Sequence, residues 1–102
     1  MPNLTEHQEK IVDLRINKVT LIETSVYASE GYLQECIWDE LRVFTQAIHL
    51  SDDVTKPLQL RANAEINAEV SHRRLRTMEG MLHIKRTDPT MERELLKQAS
   101  RL

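Results

Sequence analysis

Apolar positions recur through the first half of the chain with no long gap: Ile11, Val12, Leu14, Ile16, Val19, Leu21, Ile22, Val26, Leu33, Cys36, Ile37, Leu41, Val43, Phe44 and Ile48. Wound at 3.6 residues per turn, they cover well over half of a helix circumference, whereas a surface helix needs an apolar stripe of roughly 100°. From Asn3 to Leu50 there is no proline and a single glycine, Gly31. The pattern therefore predicts one helix over about residues 4–50, a rod of about 70 Å at 1.5 Å per residue. Gly31 falls on its polar arc with Asp13, Thr24 and Arg42. It is expected as a tolerated defect costing about 1 kcal/mol, or as a bend, because Tyr32-Leu33-Gln34 offers no fresh N-cap.

Punctuation sets the remaining boundaries. Thr5-Glu6-His7-Gln8 has the form of a capping box at the first start. Ser51-Asp52-Asp53 closes the rod, and Pro57 suits the first position of a second helix over about 57–86. Thr87-Asp88-Pro89 ends that helix, with Asp88 as N-cap of a short third helix over about 89–101. In the second helix Leu60, Ala64, Ala68, Leu75, Met78 and Leu82 make one apolar stripe, and Ile66, Val70, Met81 and Ile84 make another. Two stripes imply two packing neighbours. The expected architecture is a single all-α domain: a long antiparallel helical hairpin with a short C-terminal helix, assembled into a bundle by oligomerisation.

Charge sharpens that picture. Residues 1–57 carry ten acidic and five basic side chains, residues 58–102 six acidic and nine basic. The simplest reading is that the two halves face each other. A turn near residue 54 would bring Arg42 near Glu65, Glu35 near Arg73 and Arg74, and Glu23 near Lys85 and Arg86. Exposed pairs of this kind contribute less than about 1 kcal/mol each, so they would tune register rather than hold the fold. Arg15 and Glu40 intrude on the apolar arc of the first helix. They would meet across two antiparallel copies centred between Tyr27 and Ala28, giving an expected oligomer interface of Arg15, Ile22, Val26, Leu33, Glu40 and Phe44.

Three other chemistries can be weighed against this one. Ser71-His72-Arg73-Arg74-Leu75-Arg76, with Lys85 and Arg86 beyond, offers cations for nucleic-acid phosphates. Yet Arg73, Arg74 and Arg76 point in different directions on the wheel, Glu65, Glu69 and Glu79 share their face, and no aromatics are interleaved for base stacking. Glu69-Val70-Ser71-His72 has the Glu-x-x-His spacing of di-iron bundles, with Glu65 one turn earlier and Glu35 as a partner from the first helix. Glu69 and His72 nevertheless lie opposite the main apolar stripe, away from where a core metal site belongs. Cys36 sits on the apolar arc, where a thiol commonly acts as a small hydrophobe. No glycine-rich phosphate loop and no nucleophile triad spacing occurs.

Composition narrows the class further. The chain has 102 residues, 40 % of them hydrophobic and 29 % charged, the balance of a helical globular domain rather than a disordered one. No apolar run reaches the length of a membrane span, and one cysteine excludes an internal disulfide. The expectation is a cytoplasmic, non-enzymatic interaction or regulatory protein, acting as a homo-oligomer on a protein partner, with no cofactor. A carboxylate/histidine metal enzyme between hairpins and a helical nucleic-acid regulator are the alternatives.

Overall fold

The computed structural model describes residues 4–100, and these form five helices in the order α1 (Glu6–Ile16), α2 (Lys18–Tyr27), α3 (Glu30–Asp52), α4 (Leu58–Thr87) and α5 (Pro89–Ala99). The all-α hairpin is present. Its arms are α3 and α4, which run antiparallel and make the most extensive pairing in the molecule. The rod expected over 4–50 is instead three helices.

The two breaks have local causes. Asn17 adopts the left-handed conformation (φ 48°, ψ 66°) and its N–H donates to the Asp13 carbonyl, which closes α1. Asparagine is among the few non-glycine residues that visit this region routinely. Ala28 and Ser29 are both extended (ψ 145° and 159°), ending α2 and opening α3. The Ser29 hydroxyl accepts from the Tyr32 N–H at 3.2 Å and serves as N-cap. The cap thus precedes Gly31, which lies in the first turn of α3 rather than inside a continuous helix.

The other boundaries follow their sequence signals. Thr5 and Gln8 form the reciprocal capping box, with bonds of 2.9 and 3.2 Å. Pro57 is the residue just before α4. Asp88 accepts from the Met91 N–H at 3.0 Å, and Pro89 is the first residue of α5.

With two bends, α1 and α2 fold back onto α4 instead of extending away from it. α4 becomes the central element, contacted by all four other helices. The core joins Val12 and Ile16 of α1, Leu21 and Val26 of α2, Leu33 and Ile37 of α3, and Val70, Leu75, Met78, Met81 and Leu82 of α4; Ala99 of α5 closes one end. Near the hairpin turn the buried residues are small (Ala47, Ser51, Ala64 and Ala68). The molecule measures 49 × 27 × 16 Å along its principal axes, a thin slab rather than a sphere. Its radius of gyration is 15.6 Å, where a compact 100-residue domain has about 13 Å.

Candidate interaction surfaces

The basic residues of α4 are used inside the molecule. Arg73 sits between α1 and α4, bonded to Glu9 at 2.8 Å, Asp13 at 3.3 Å and Glu69 at 2.8 Å. Its guanidinium is held even more firmly protonated than usual, first by the hydrogen bond to Glu9 and then by that to Glu69, against the opposing effect of burial. Arg74 pairs with Glu40 of α3 and donates to the Ile16 carbonyl at 3.3 Å. Lys85 donates to the Val26 carbonyl at 2.6 Å. Two α4 cations therefore serve the carbonyl ends of α1 and α2, where positive charge is favoured. Arg86 reaches Glu30 at 3.6 Å and Gln34 at 3.4 Å.

This arrangement locates the residues considered for phosphate binding. Arg73, Arg74, Lys85 and Arg86 are engaged by the chain itself, and Arg76 is exposed with no ion pair among the described residues. The acidic first half and basic second half face each other, through Glu9 and Asp13 with Arg73, Glu40 with Arg74 and Glu30 with Arg86. The pairs expected for Arg42, Glu35 and Glu23 are not the ones formed: Arg42 lies 3.5 Å from Asp39, on its own helix.

The residues considered for metal also separate. Glu69, expected on an outer arc, is only 7 % exposed because α1 folds over it, and its carboxylate is taken by Arg73. The His72 ring lies against Phe44 of α3, with centroids 5.9 Å apart and planes tilted by 36°. Glu65 and Glu35 are exposed. Among the described residues no three His, Cys, Asp or Glu side chains converge as a metal-binding group.

What the fold leaves open lies on the two sides of α3. On one side a groove runs between α3 and the α1–α2 arm, with α4 as its floor. It has two adjoining stretches of about 470 and 500 Å3, which share Glu40, Val43 and Arg74. Tyr32, Cys36, Val43 and Leu50 form its α3 wall, Leu21, Thr24 and Ala28 its α2 wall, and Asn67, Arg74 and Met78 part of its floor. Buried charge in the groove is matched: Glu40 accepts from Arg74 and from the Ser71 hydroxyl at 3.0 Å. Arg15 projects over the rim, donating to the neutral Asn67 side chain at 2.6 Å.

The opposite side of α3 is a flat face. Trp38 is 59 % exposed and Leu41 47 %, with half-buried Phe44 and Ile48 beside them. The adjoining part of α4 carries Arg61, Glu65, His72, Arg76 and Glu79. Sequence reasoning recognised excess apolar surface on the first helix but did not single out Trp38 or Leu41. The available signal was the 3–4 spacing of Trp38, Leu41, Thr45 and Ile48, one position along from the buried stripe.

The interface residues expected from the sequence fall in different places. Val26 and Leu33 are core residues, each 2 % exposed. Ile22 is half-buried against the core, Glu40 is bonded to Arg74, and Arg15 overhangs the groove. Phe44 alone borders the flat face. Charge reversal at Glu40 would thus act first on the chain's own pairing with Arg74.

Compared with protein-family models, with curated proteins and with solved structures, the chain has no significant match. No helix among the described residues is long and apolar enough to cross a membrane.

Proposed function

We propose that this is a small non-enzymatic helical protein that acts by contact, self-associating and presenting a surface to a protein partner. The observation that carries this reading is the area left uncovered. A compact monomer of 11.9 kDa exposes about 5,900 Å2, whereas this chain exposes 6993 Å2, about 1,000 Å2 more. The excess includes contiguous apolar surface on both sides of α3, not only scattered single residues. Contiguous apolar surface of this kind marks interaction sites.

The groove suits a partner's amphipathic helix, which docks by inserting an apolar face between two walls. An acidic side chain on that helix would meet Arg15 at the rim. The α4 cations that a nucleic-acid regulator would offer to phosphates are largely committed to internal carboxylates and carbonyls, which supports protein rather than nucleic acid as the partner.

Light scattering of the purified chain tests the reading. A mass of at least twice 11.9 kDa is expected at micromolar concentration. A strict monomer overturns self-association as the basis of function.

A further inference from the structure

We propose that the flat face of α3 and α4, on the side away from the groove, binds a second copy of this chain with the two α3 helices antiparallel, so that two hairpins close a four-helix bundle. This deepens the self-association reading above and rests on it. Area is the first support. A standard interface buries about 800 Å2 on each partner, within the roughly 1,000 Å2 by which this slab exceeds a compact monomer of its mass.

The apolar stripe is the second support. Trp38, Leu41, Thr45 and Ile48 read almost the same in both directions. Reversing one helix about its midpoint sets Trp38 opposite Ile48 of the second copy and Leu41 opposite Thr45 of the second copy. Phe44, resting on His72, fills the edge between the two arms.

Charge is the third support, and it is independent of the stripe. Within the hairpin Ser51 lies beside Arg61, and Glu40 beside Ser71 and Arg74. Carrying the α3 register across that pairing brings Arg61 of α4 opposite Glu79 of the second copy. It also brings Glu65 opposite Arg76 of the second copy. None of these four charges has an ion pair within the chain among the described residues. The two-fold axis repeats each contact, giving four matched pairs. A slip of one helical turn in one direction sets Glu65 against Glu79, and in the other it parts both pairs. The charges therefore select the same alignment as the apolar stripe, which is how opposite and like charges fix register between helices.

The experiment measures the dimer dissociation constant by analytical ultracentrifugation, with circular dichroism to check that helix content is unchanged. Trp38→Asp is expected to weaken the dimer by about a hundredfold or more, the scale of losing a central aromatic anchor. Glu65→Arg and Arg76→Glu should each weaken it about tenfold, and the double variant should recover to within about threefold of the parent, since the swap restores opposite charge. All three residues are exposed in the single chain, so the fold does not depend on them. A dimer that withstands Trp38→Asp, or single reversals with no recovery in the double variant, overturns this interface while leaving self-association standing. A parent chain that stays monomeric overturns both.

Discussion

Arg73 concentrates the chain's internal electrostatics at one residue. It stands between Glu69, which is buried, and Glu9 and Asp13 of α1, which are more exposed. Removing one partner of a buried ion pair costs more than the pair contributes, because the remaining charge is left desolvated. Arg73→Met should destabilise the fold by about 2–4 kcal/mol, read as a lower urea midpoint with an unchanged m-value. Adding Glu69→Leu should recover much of that loss, since an apolar pair needs no solvation. If the double variant is as unstable as the sum of the single ones, the coupling is absent.

A smaller effect resides in the hairpin turn. The Asp53 carboxylate accepts from the Thr55 hydroxyl and, at 3.0 Å, from the Thr55 N–H. These bonds, the hydroxyl first, hold its pKa below the ordinary 3.8. A lowered folded-state value means that the contribution is complete above the ordinary carboxylate range and vanishes as pH falls through the folded value. Asp53→Asn should therefore lower stability at pH 7 by more than at pH 2, and equal losses at the two pH values would refute this linkage.

At the scale of elements, two residues decide the shape of the first half. Asn17→Val should destabilise the fold by about 1–2 kcal/mol, since a β-branched side chain is strained at positive φ, whereas Asn17→Gly should be neutral or stabilising. Ser29→Ala removes the α3 cap and should cost about 1 kcal/mol. A thermal melt on each variant checks both expectations.

The same two positions mark the limit of what the sequence shows. Thr5 with Gln8, Pro57, and Asp88 with Pro89 announce helix starts because each supplies a backbone partner or a pre-set φ locally. Asn17 is also a local signal, but one asparagine in an apolar-rich run is compatible with helix. Its left-handed turn is fixed by α1 and α2 both packing on α4. Ser29 was obscured by Gly31, which drew the search for a cap to the wrong side. The charge register was legible in kind but not in detail. Arginine side chains lean toward the start of their own helix, and the fold-back of α1 brings Glu9 and Asp13 to Arg73 from about sixty positions away in the chain. The groove was not legible, because it exists only between elements that the sequence presented as one rod. The flat face was legible only as surplus apolar arc.

At the scale of the whole molecule, α3 is covered on one side alone, by α4. Trp38 is the only tryptophan in the chain and lies on the exposed side of α3. Its emission therefore reports on whatever covers that face. In the dilute chain the indole is largely hydrated and should emit at long wavelength. As concentration rises through the dimer dissociation constant, the emission should move to shorter wavelength and acrylamide quenching should fall, because the ring enters an apolar interface. Glu65→Arg should shift this transition to higher concentration by the same factor that it changes the sedimentation constant, since both report one equilibrium. Burial of Trp38 by local folding alone would give an emission independent of concentration. Docking through the groove would give oligomers with Trp38 still hydrated. Only the flat-face dimer couples the mass, the emission and the Glu65–Arg76 charge swap to a single transition.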